Sequence, residues 1–163
     1  MNYDASRPLM VQNDLTVLVE TAHPEYPQVR ETLSRFSDLL KSPGWVHTYR
    51  ITPLSLWNAA ASGMGTEDII PFLREHCKYP LSAEITRSIE KYMRRYGLFQ
   101  LKSEGDRLYL ESSDSNAVRQ IAASPAIQPY LLKQLNRLTW EISPHCRGII
   151  KQEMIRMGFR VED

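Results

Sequence analysis

Four cations recur at a spacing that suits phosphate contact. Arg87, Lys91, Arg94 and Arg95 stand at i, i+4, i+7 and i+8, which on a helix aligns them along one flank, where phosphates spaced along a strand are neutralised together. Lys102 and Arg107 follow in a segment that reads as a hairpin, and they would extend the same surface toward DNA. The alternative is a solvated helix face balanced by Glu84 and Glu90, and spacing leaves both readings open.

Other chemistries find less support. The sequence has no G-x-x-x-x-G-K-[ST] phosphate loop and its glycines never cluster, so neither ATP hydrolysis nor a bound cofactor is expected of this chain. His76-Cys77 and His145-Cys146 pair imidazole with thiol, the ligands of zinc. Adjacent residues on a helix point about 100° apart, however, and no C-x-x-C or H-x-x-x-H spacing converges them, so buried cysteines and no metal are expected. Ser55 lacks a G-x-S-x-G elbow and lies just after Thr52-Pro53, where a hydroxyl serves local backbone bonding. Trp45, Tyr49 and Trp57 are of the type that stacks on unpaired bases. Trp57, beside Leu54 and Leu56, reads as core, whereas Tyr49, between His47 and Arg50 on a strand, stays open.

These residues need elements to hold them. An extended Pro8–Gln12 and a central strand at 15–20 lead into a helix predicted over Glu25–Lys41, where Val29, Leu33, Phe36, Leu39 and Leu40 fall at helical spacing before Ser42-Pro43-Gly44. Trp45–Ile51 is a second strand. Thr52 then caps a helix with Pro53 at its first position and Gly63 at its end, and Thr66 caps another, with Glu67 and Asp68 in its first turn. Ser82 caps a third, in which Ile85, Ile89, Met93 and Tyr96 form the apolar stripe and Gly97 the stop. Leu98–Lys102 and Arg107–Glu111 flank a glycine-containing turn as a hairpin. Further on come a helix at Ser115–Ala123, a helical or irregular stretch around 127–132, a strand at Leu138–Ile142, a helix at Arg147–Met157 and a short closing strand.

The predicted fold is therefore mixed α+β: a small sheet with packed helices, including a winged-helix-like part of three helices and a hairpin over 52–111. The expected domains are 1–112 and an α/β appendage or linker over 113–163.

Composition sets outer bounds. A chain of 163 residues with 42% hydrophobic and 24% charged residues is globular, long enough for a self-sufficient core. Two cysteines give no disulfide framework, the first residues are no secretory leader and no apolar run reaches membrane length, so a cytoplasmic, nucleoid-associated protein is expected. Net charge is +1, but residues 1–70 hold 5 Lys/Arg against 8 Asp/Glu and residues 71–163 hold 15 against 11, which points nucleic-acid contact to the later part.

Several segments resemble the N-terminal domain of XPB-type DNA repair helicases. They are Ser6–Val11 with Thr16–Glu20, the specific run from His47 through Thr52-Pro53-Leu54-Ser55-Leu56-Trp57 to Ala59, Tyr96–Leu101, and Leu108–Ser112. The resemblance covers about residues 6 to 114. It implies a domain that precedes two ATP-driven motor lobes in an enzyme of nucleotide excision repair, with ATP and Mg in those absent lobes and the chain stopping short of them. On that basis the chain is expected to be a non-catalytic DNA-engaging or regulatory module on duplex, forked or damaged DNA. The rival expectation is a docking module for a regulatory subunit or a nuclease partner.

Overall fold

The computed structural model describes residues 3–41 and 44–163, and the chain divides into two compact units, 1–93 and 94–163. The expected stop at Ser42-Pro43 lies outside the described residues.

The first unit is built on a four-stranded antiparallel sheet of β1 (Leu9–Val11), β2 (Thr16–Glu20), β3 (Asp38–Lys41) and β4 (Val46–Arg50), in the order β1-β2-β4-β3. Alternation turns Val17 and Val19 of β2 into the core, so β2 occupies the interior place its composition predicts. Its helices are α1 (Tyr26–Leu33), α2 (Pro53–Ala61), α3 (Thr66–His76) and α4 (Ala83–Arg94), the last ending one residue past the boundary. Their buried faces join the sheet in one cluster that includes Leu33, Phe36, Leu56, Ile69, Leu73, Ile85 and Ile89. Caps set the helix ends. Thr52 Oγ1 accepts from the Ser55 N–H at 3.0 Å with Pro53 at the first position, and the Ile85 N–H donates to Ser82 Oγ at 3.2 Å. For α3 the cap is Gly65, not Thr66, and Asp68 reaches back to the Gly65 N–H at 3.0 Å.

The helix expected over Glu25–Lys41 is corrected. It stops at Leu33, a short turn buries Phe36, and Asp38–Lys41 pairs with β4 through Asp38↔Arg50 and Leu39↔Tyr49. Leu39 and Leu40 continue the helical spacing, yet both are half exposed on an edge strand. The pairing partner lies beyond a turn, and a local spacing rule does not see it.

The second unit has a five-stranded sheet of β5 (Phe99–Glu104), β6 (Arg107–Ser112), β7 (Leu131–Asn136), β8 (Thr139–Ile142) and β9 (Val161–Glu162), in the order β7-β8-β6-β5-β9, parallel only at β5–β9. The β5–β6 hairpin forms as expected, with Glu104 opposite Arg107 and Gly105 at φ 62° in the turn, the left-handed region that glycine enters at little cost. One face of this sheet, with Phe99, Leu101, Leu108, Leu110 and Ile142, packs on Val118 and Ile121 of α5 (Ser115–Ala122) and on Ile150 and Met154 of α6 (Arg147–Arg156). A 3-10 turn at Gln128–Tyr130, within the stretch expected to be helical or irregular, leads into β7, a strand the sequence pattern does not predict.

The hairpin therefore belongs to the second sheet, flanked by β8 and β9, and not to the three helices before it. The winged-helix-like grouping of 52–111 is not a unit of this structure, and the boundary falls at 93/94 instead of 112. Sequential adjacency suggested the grouping, but β6 pairs with β5 on one edge and on the other with β8, some thirty residues downstream.

Candidate nucleic-acid interface

Of the six expected contact residues, Arg87 and Lys91 lie in the first unit and Arg94, Arg95, Lys102 and Arg107 in the second. In α4, Ile85 and Ile89 are buried, and Arg87 and Lys91, each two residues further along and one turn apart from each other, are exposed on another side of the helix. Arg87 Nε donates to the Ala83 carbonyl at 3.2 Å, and Lys91 Nζ lies 5.7 Å from the Tyr92 ring centroid. A shallow recess along this flank is lined by Glu84, Arg87, Ser88 and Lys91, so the exposed cations share the surface with a carboxylate. Arg94 is exposed at the last position of the helix.

Arg95 has a different setting. Its guanidinium donates to the carbonyls of Met157 and Gly158 at 3.3 and 3.2 Å and stacks 4.1 Å from the Phe159 ring centroid. Those carbonyls end α6, so a half-buried cation serves the acceptors and the negative end of that helix.

Lys102 and Arg107 stand on the open face of the second sheet. Lys102 Nζ reaches Glu111 at 2.9 Å in an exposed ion pair. Arg107, at the hairpin turn, has its pKa pushed above the ordinary value, first by a hydrogen bond with the Tyr109 side chain and then by the Glu141 carboxylate. Across the strands the register sets Lys102 beside Tyr109, Tyr109 beside Glu141 and Glu141 beside Lys133. The face thus alternates charge around one aromatic ring. Tyr109, Leu135 and Thr139, which join Lys102 and Glu111 around a cavity on this face, are not among the contact residues expected from the sequence. Placing Leu135 requires knowing that 131–136 is a strand, and its local sequence lacks the β-branched signal that would mark it.

The other candidate chemistries resolve into structural roles. Ser55 is buried and its Oγ donates to the carbonyls of Phe36 and Thr52 at 2.8 and 3.0 Å. Trp57 is 1% exposed, with Nε1 donating to the Tyr92 carbonyl at 2.8 Å, and Tyr49 is 3% exposed, whereas Trp45 is 77% exposed. Burial pushes the Cys77 thiol up to about 12, and the Cys146 thiol, also raised by burial, donates to the Ser143 carbonyl at 2.9 Å. Among the described residues no group of three or more His, Cys, Asp or Glu could hold a metal, and no helix is long and apolar enough to cross a membrane.

Residues 9–136 match the model of a family described as the helicase conserved C-terminal domain, and the chain belongs to that family. Within the helicase class it is similar to proteins of the XPB type. It is 35% identical over 157 residues to a DNA 3'-5' helicase XPB of Kineococcus radiotolerans, covering 96% of this chain and 28% of that protein. Against the DNA 3'-5' helicase XPB of Mycobacterium tuberculosis the identity is 36%, covering 96% of this chain and 29% of the other. A general transcription and DNA repair factor IIH helicase/translocase subunit XPB of Schizosaccharomyces pombe is 32% identical over 125 residues, covering 76% and 16%. The chain therefore spans less than a third of the length of these relatives.

Proposed function

We propose that this chain is a non-catalytic, DNA-engaging and regulatory module of an XPB-type ATP-dependent helicase in DNA repair, placed ahead of the motor lobes of the same protein. The observation that carries the reading is identity of about a third to DNA 3'-5' helicases along nearly the whole chain. The exposed cations of α4 give it a physical means. Arg87, Lys91 and Arg94 would hold duplex, forked or damaged DNA by phosphate contacts beside the motor, so that translocation becomes strand opening. Lys102 and Arg107 would add contacts from the second unit, while Arg95 holds the end of α6. ATP and Mg belong, in this reading, to the motor lobes, and the working place is the cytoplasm at the nucleoid.

The test is fluorescence anisotropy with duplex, forked and bubble DNA at about 50 mM salt, where phosphate contacts are strong. Binding that weakens steeply with salt, and that the combined R87E, K91E and R94E substitutions abolish, is expected. Absence of affinity for all three DNAs sinks the reading. Placement ahead of the motor is tested by the parent gene, where a phosphate-loop ATPase is expected downstream of Asp163 and not upstream of this segment.

A second reading, docking of a regulatory subunit or nuclease, is favoured by the edge of the first sheet. There Leu39 and Leu40 are about half exposed on β3, and Trp45 is exposed just before β4. An unpaired edge beside apolar side chains suits strand addition by a partner. The same charge reversals distinguish the readings, because they leave such docking intact.

A further inference from the structure

We propose that the open face of the second sheet carries a pocket for an unpaired nucleobase of single-stranded DNA, with the Tyr109 ring as its stacking surface. The proposal rests on the DNA-engaging reading and assigns to one site the recognition of opened strands.

The cavity is about 420 Å³, large enough for one base and its sugar, and Lys102, Tyr109, Glu111, Leu135 and Thr139 line it. Its position follows from the register. Lys102 stands opposite Tyr109 on β5 and β6, and Glu111 stands opposite Thr139 on β6 and β8, so these four side chains share one face. Leu135 comes from the edge strand β7, where the register shifts between Gln134 and Asn136 and the leucine remains 47% exposed. An edge-strand bulge re-aims a side chain in this way. Leu135 and Tyr109 thus supply apolar surface on a face whose other residues are mainly charged.

Phosphate attraction alone does not explain this face. Lys102, Arg107 and Lys133 are neighboured there by Glu104, Glu111 and Glu141, which offset part of what Lys102 and Arg107 contribute to a phosphate. A base edge uses what a phosphate cannot, because a carboxylate accepts hydrogen bonds from an exocyclic amine such as cytosine N4. Glu111 would accept from the amine, the Tyr109 ring would stack on the base, and Lys102, released from Glu111 at 2.9 Å, would turn to the flanking phosphate. Paired bases keep their faces stacked inside the duplex, so a site that stacks one base on the Tyr109 ring discriminates opened DNA from duplex.

Anisotropy titrations compare a bubble whose unpaired strand is oligo-dC with the same sequence fully paired, and with an oligo-dT bubble. The dC bubble is expected to bind more tightly than duplex. Y109A should lose roughly 5- to 150-fold of bubble affinity, the range of one base stack, with duplex affinity unchanged. Y109F, which keeps the ring, should behave as the unaltered chain, and E111Q should narrow the gap between dC and dT. Equal affinity for bubble and duplex, or a Y109A variant that keeps the bubble preference, overturns the pocket while leaving the DNA-engaging reading standing. Loss of binding to both DNAs by the unaltered chain overturns both. If Y109A proves unfolded by circular dichroism, L135A, a half-exposed edge position, reads the same wall of the pocket, and an unchanged bubble preference there overturns the proposal.

Discussion

The two units use similar materials to opposite ends. Residues 1–93 carry 9 Lys/Arg against 11 Asp/Glu, and residues 94–163 carry 11 against 8, so one is acidic and the other basic. The first unit buries its interior aromatics, Tyr49 among the core side chains and Trp57 with its indole N–H satisfied, and leaves apolar side chains at a sheet edge. The second packs its core on one sheet face and leaves Tyr109 and Leu135 among charges on the other. The difference lies in what each unit leaves exposed: the first a sheet edge with leucines at β3, the second a face of mixed charge.

The sharpest way to break that comparison is to empty one core at a time. Phe36→Ala should cost about 3–5 kcal/mol in the first unit and Phe99→Ala a similar amount in the second, each leaving a large cavity. Urea unfolding followed by hydrogen exchange should show each loss confined to its own unit. Equal losses in both units from either substitution would mean a single cooperative core.

A smaller effect is expected of Arg95→Ala. Removing hydrogen bonds from a charged donor to the carbonyls ending α6 should cost about 2 kcal/mol, read as earlier exchange of amides in α6 and β9 and not in α1–α3. A Lys in its place should restore only part of this, because it lacks the planar fork that serves two carbonyls and a ring together.

Next comes alkaline pH. The folded Cys77 thiol, raised to about 12 from an ordinary 9, holds its proton more tightly than the unfolded chain does. This stabilisation is present below pH 9 and is lost as pH rises toward 12; by linkage, about 1 kcal/mol should be gone at pH 10. Urea midpoints at pH 8 and 10 should therefore fall more for the unaltered chain than for Cys77→Ala. An identical slope in both would show that burial does not govern this thiol.

The smallest expected change is that of Thr52→Ala. It removes the cap that accepts the Ser55 N–H, worth about 1 kcal/mol, and should lower the first unit's midpoint alone.

Much of the candidate site was legible one segment at a time. The register of Ile85 and Ile89 told which side of α4 turns inward and left Arg87 and Lys91 exposed, and the glycine turn announced the hairpin that carries Lys102 and Arg107. What sequence spacing misjudged was partnership. Arg95 continues the basic series along the chain but is held by carbonyls about sixty residues away.

The sequence by itself determined the local structures: capped helices at Thr52 and Ser82, the β5–β6 hairpin, and the inward stripes, because each depends on residues within a turn or two of one another. It also pointed to XPB-type helicases, to which the chain is about a third identical, through runs such as His47–Ala59. Only the tertiary structure decided that Asp38–Lys41 is a strand, that 131–136 forms a bulged edge, and that the hairpin joins the second sheet. Those outcomes depend on distant strands whose hydrogen bonds outweigh local preference, and the open face with Tyr109 exists only because β5, β6, β7 and β8 meet there.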